Sequence, residues 1–77
     1  MNGLQVLVDT LRQIQGDRTQ EVFADELGIS QVMLSSIYSG ERRPGVKVLR
    51  ALRQRYPESL PAIDTFLLSE DMSININ

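Results

Sequence analysis

The stretch TQEVFADELGISQVMLSSIYSG, residues 19–40, decides how this chain folds. Thr19 is a good helix N-cap, and Phe23, Ala24 and Leu27 behind it recur at the spacing of one buried helical face. Gly28 stops that helix after barely two turns, because glycine alone enters the left-handed region without steric cost. Ser30 then offers a second N-cap, Leu34 and Ile37 place a second apolar stripe three residues apart, and Gly40 ends the second helix. Two short helices are thus joined by Gly28-Ile29-Ser30, a reversal too sharp for a longer residue at its first position, with Ile29 plugging the angle. Small Ala24 lets the two helices approach closely. With the apolar residues directed inward, the second helix keeps Gln31, Val32, Ser35 and Ser36 on its outer face, with Met33 at the margin.

Working outward, Leu4, Leu7, Val8, Leu11 and Ile14 predict a helix over about 4–15 that Gly16 terminates. After Gly40, two glycines and a proline within residues 39–45 mark a loop. A fourth helix follows over about 46–55, burying Val48 or Leu49 together with Leu52, until Tyr56-Pro57 breaks it. A fifth begins at Ser59 or Leu60, with Pro61 tolerated in its first turn, and presents Leu60, Ile63, Phe66 and Leu67. Met72, Ile74 and Ile76 alternate with polar residues, which reads either as a frayed tail or as a strand pairing with a second copy. The expected organisation is all-α, one five-helix domain over 1–69 and a C-terminal tail over 70–77.

Seventy-seven residues hold one modest core and no second domain. The chain has neither cysteine nor histidine, which removes disulfides, the usual zinc ligands and thiol or imidazole chemistry. The serines at 30, 35, 36 and 39 have no histidine to activate them, and the adjacent carboxylates Glu70 and Asp71 read as solvated rather than as a cation site. Neither catalysis, a metal nor a cofactor is expected. No run reaches the ~20 apolar residues of a membrane span and no signal peptide is visible, so a cytoplasmic location without a membrane partner is expected. The net charge is -2, yet its distribution is uneven: residues 42–55 hold six of the eight cations and no acid, while the segments on either side each sum to -4. One basic segment between acidic ends implies a localised surface for an anionic partner.

At the spacing of Thr19-Gln20-Glu21, Phe23-Ala24, Leu27-Gly28-Ile29-Ser30, Leu34-Ser35, Ile37, Gly40 and Arg42-Arg43-Pro44, the chain resembles the phage-repressor/Cro-type helix-turn-helix family over residues 4–56. The resemblance implies a compact five-helix, lambda-repressor-like DNA-binding domain. Its third helix would enter the major groove, and dimers would set two such helices about 34 Å apart on a pseudo-palindrome. It assigns Gln31, Val32 and Ser36 to base reading, glutamine being suited to bidentate contact with adenine and valine to a thymine methyl. It assigns Gln20, Ser39, Arg42, Arg43 and Lys47 to the DNA backbone, with Gln20 also bracing Gln31. Met33, Ser35 and Tyr38 are further candidate contacts. Many relatives carry an acid at the position of Tyr38, paired with a basic residue of the first helix. Here Tyr38 is free instead to pack or to offer its hydroxyl to a phosphate. The third helix has no lysine or arginine, so strong guanine readout from it is not expected.

The expected function is sequence-specific binding of double-stranded DNA by a homodimer that represses transcription, paired through the fifth helix with or without the tail. Arg50, Arg53 and Arg55 read as a solvated face, and no small-molecule substrate is expected. Two competing readings share the scaffold: an antitoxin that also binds its own operator, and a protein-interaction module without DNA binding.

Overall fold

Side-chain caps set the helix starts. Asn2 Oδ1 accepts from the Gln5 amide at 2.7 Å, Thr19 Oγ1 from Val22 at 3.1 Å and Ser30 Oγ from Met33 at 3.0 Å. Each satisfies one of the four amides that a helix N-terminus leaves unpaired. The result, in a computed structural model that describes the backbone of residues 2–75 and the side chains of residues 2–69, is α1 (Gly3–Gln15), α2 (Gln20–Leu27), α3 (Gln31–Ser39), α4 (Val46–Arg55) and α5 (Leu60–Asn75). A single 3-10 turn, Pro57–Ser59, joins α4 to α5. Gly28 (φ 74°) and Gly40 (φ 85°) close α2 and α3 in the left-handed conformation, where any side chain would be strained.

All five helices contribute to one core, in which Leu7, Leu11, Phe23, Leu27, Leu34, Ile37, Val48, Leu52, Ile63 and Phe66 are buried. Burial of each such side chain stabilises by about 1.5–3 kcal/mol relative to exposure. Of the pair left open in α4, Val48 is buried and Leu49 only half-buried. Among the described residues Ser59 is the buried polar one, and its hydroxyl donates to the Tyr56 carbonyl at 2.7 Å, which fixes the turn into α5.

The most extensive helix pairing joins α1 to α5, the two ends of the chain. It depends on Gly3: a Cβ there would lie 2.7 Å from Phe66 Cα and from the Thr65 carbonyl oxygen. The backbones meet with no room for a methyl group. α5 also runs further than the sequence pattern indicated. Residues 70–75 continue the helix rather than forming a frayed tail or a pairing strand, and Ile76 and Asn77 lie outside the described residues. Alternation over three apolar residues was a weak signal, and helix propagation from an established α5 costs less than starting a new element.

Arg18, in the turn between α1 and α2, ties three helices together. Its Nε donates to the Gln15 carbonyl at 3.1 Å, which also accepts from the Arg18 amide, and its Nη2 donates to the carbonyl of Ile14 at the end of α1. Its Nη1 donates to the Tyr56 hydroxyl at 2.9 Å and pairs with Glu26, while the same hydroxyl donates to Glu26 at 2.9 Å. The hydrogen bond with Tyr56, more than the charge of Glu26, raises the Arg18 pKa above its ordinary value against an opposing desolvation.

Candidate nucleic-acid interface

Because Leu34, Ile37 and Tyr38 turn inward, α3 presents its opposite side to solvent. Gln31 and Val32 are exposed, Val32 by 76% of its surface, and Ser36 is half-buried. These three line one open hollow with Ser35, Ser39 and Glu41. The Gln31 side chain makes no hydrogen bond among the described residues. The Ser39 hydroxyl donates back to the Ser36 carbonyl at 3.1 Å, leaving its lone pairs outward. Glu41, which nothing in the sequence singled out, puts a carboxylate at the edge of this hollow and disfavours a close phosphate there.

A neighbouring hollow holds Met33 together with Arg42, Arg43 and Lys47 and the start of α4. All three cations are exposed, and the Arg42 and Lys47 side chains carry no ion pair among the described residues. The stem of Lys47 reaches the inter-helix turn, its Cε standing 3.7 Å from where a Cβ on Gly28 would be. Gly45 precedes α4 and supplies no side-chain cap, so the first amides of that ten-residue helix stay open beside the three cations. Cations and unpaired helix N-H groups in one hollow are complementary to phosphate oxygen. Met33 itself is half-buried against the core.

Gln20, at the first position of α2, is half-buried, and its Oε1 accepts from the Ser35 hydroxyl at 2.8 Å. The brace expected from the resemblance, Gln20 to Gln31, is therefore replaced by one to Ser35. Tyr38 takes the packing alternative. The residue is 9% exposed, its ring lies beneath the Arg12 guanidinium, and its hydroxyl donates to Gln15 Oε1 at 2.7 Å. It faces α1 and does not reach the outer surface of α3 as a phosphate donor. Burial raises the Tyr38 pKa, offset in part by the positive charges of Arg12 and Arg18.

Arg50 and Arg53 lie elsewhere. They border a third hollow with Val46, Leu49, Ile63 and Leu67, between α4 and α5.

A short helix carrying an exposed polar face, braced by the helix before it and flanked by an uncapped helix start with three cations, defines a helix-turn-helix module for DNA. The family model described as helix-turn-helix matches residues 9–63, and the chain belongs to that family, of the phage-repressor/Cro type. It is a DNA-binding, non-enzymatic family, so DNA is the partner this architecture serves. Neither the curated proteins nor the solved structures contain a significant match to the chain. Among the described residues, no helix is long and apolar enough to cross a membrane.

Proposed function

We propose that this protein is a sequence-specific transcriptional repressor that binds a pseudo-palindromic operator as a homodimer, with α3 in the major groove. The observation that carries the reading is the row Gln31, Val32 and Ser36 lining one open hollow on α3, with Gln20 hydrogen-bonded to Ser35 of the same helix and Arg42, Arg43 and Lys47 lining the hollow that holds Met33. Phosphate contacts from Gln20 and the three cations would fix the helix in the groove, and the row would read base edges. Gln31 has both a donor and an acceptor unengaged, as bidentate pairing with adenine requires.

Homodimerisation is supported by the apolar surface on α4 and α5. Val46 is 69% exposed, Leu67 43% and Leu68 63%, and Leu49 is half-buried near them. Phe66 has gone to the core, which leaves Leu67 and Leu68 for a partner copy.

The test is selection of bound duplexes from a random pool, followed by sedimentation of the protein free and on the selected duplex. An inverted repeat with half-sites about one helical turn apart and a two-to-one complex are expected. Recovery of unenriched sequence would overturn the specific reading, and a single protomer on a non-repeated site would overturn the dimer.

A further inference from the structure

We propose that Ser35 is a positioning residue for DNA binding, acting through Gln20 rather than on a base. The proposal rests on the duplex-binding reading above and goes beyond it by assigning which groups on α3 read and which hold.

A serine hydroxyl has one proton to donate and a glutamine amide has one carbonyl to accept it. The contact between Ser35 Oγ and Gln20 Oε1 at 2.8 Å uses both. With Oε1 held toward Ser35, the second lone pair of that oxygen stays on the α3 side, and the group left to face away from α3 is Nε2, which carries two donors and no acceptor. Phosphate oxygens only accept, so an amide held in this sense is matched to the DNA backbone and cannot be turned to present its carbonyl there without breaking the bond to Ser35. Gln20 is also the first residue of α2, beside helix amides that have no intrahelical partner, so its donors and theirs address the same region. The constraint crosses from α2 to α3 over 15 residues of sequence, and it therefore also fixes the spacing between the backbone contact and the reading face.

The consequence for reading is equally specific. Ser35 has spent its proton and does not serve as a donor to guanine or thymine. Gln31, one turn earlier on the same helix, is released from any brace by Gln20 and reads by its own conformation.

The experiment uses the full chain, a fluorescent duplex selected from a random pool and a scrambled duplex of equal length, with thermal melting of every variant as a control. Ser35→Ala should weaken binding to both duplexes by a similar factor, about three- to tenfold, the effect of one neutral hydrogen bond. Ser35→Thr, which keeps the hydroxyl, should restore affinity. In a Gln20→Ala background, Ser35→Ala should have no further effect. Additive losses in the double variant, or a Ser35→Ala loss confined to the selected duplex, would overturn the assignment. So would failure of threonine to rescue while melting is unchanged. Absence of duplex binding by the unaltered chain would instead overturn the DNA-binding reading itself, and the assignment with it.

Discussion

The guanidinium of Arg12 in α1 stands 4.3 Å from the centroid of the Tyr38 ring in α3. The attraction between cation and π face joins these two helices, and the phenol adds a hydrogen bond to Gln15 at 2.7 Å. One ring therefore anchors the end of α3 through its face and through its tip. Tyr38→Phe, which loses only the tip, should cost about 0.5–1.5 kcal/mol of stability, and Arg12→Ala about 0.5–1 kcal/mol. Urea unfolding of both variants and of the double variant checks this; equal stability of all four proteins would remove the anchor.

The same ring predicts an alkaline dependence of stability. Burial raises the folded-state pKa of Tyr38, so the unfolded phenol ionises first as pH rises. Its contribution to stability is fully present below the unfolded value of about 10 and is lost as pH climbs through the folded value. Melting followed from pH 7 to pH 11 should be flatter for Tyr38→Phe than for the unaltered chain at the top of that range. Parallel curves would show that Tyr38 ionises equally in both states.

Gln31→Ala should weaken binding to the selected duplex by about 1–3 kcal/mol, with the loss concentrated at one base-pair position per half-site. Gln20→Ala should weaken selected and scrambled duplexes alike. Affinity measured across a set of single-base variants distinguishes the two, and an undiminished preference in Gln31→Ala would show that α3 meets DNA in another register.

Salt dependence separates the two groups of arginines. Every cation that neutralises a phosphate contributes about -0.9 to the slope of log affinity against log salt concentration. Arg42→Ala and Lys47→Ala should each flatten the slope by about one unit per half-site and lower affinity for all sequences. Arg53, which borders the hollow between α4 and α5, should leave the slope nearly unchanged. A larger effect at Arg53 than at Arg42 would place the wrong face of α4 against DNA.

Gly3→Ala should destabilise the protein although alanine is the better helix former by about 1 kcal/mol. The added methyl meets the α5 backbone at 2.7 Å, and neither chain can yield without opening the α1-α5 contact. A net loss of about 1–3 kcal/mol in urea unfolding is expected. A gain would mean that the two helices separate easily.

Residues 19–40 were legible because each signal there is local: caps lie within three residues of the amides they bind, and glycine marks each helix end. The exposed row on α3 follows from the same periodicity. Pairings between distant side chains carry no such mark. Nothing near Gln20 indicates Ser35 rather than Gln31 as its partner, and nothing near Arg18 indicates Tyr56, 38 residues away. Gly3 looks in sequence like an unfavourable start to a helix, and only the approach of α5 explains it. The extension of α5 to Asn75 was missed for the converse reason, since alternating residues in a short segment carry too weak a period to set against helix continuation.

The meeting of Gly3 with α5 also bears on the order in which the chain folds. The helix-turn-helix half, α2 with α3, is built from contacts close in sequence, which form quickly and incur little loop-closure entropy. The α1-α5 contact closes nearly the whole chain into one loop and is entropically the costliest step. Substitutions in that seam should accordingly appear mainly in the unfolding rate, with the helix-turn-helix already assembled at the rate-limiting barrier.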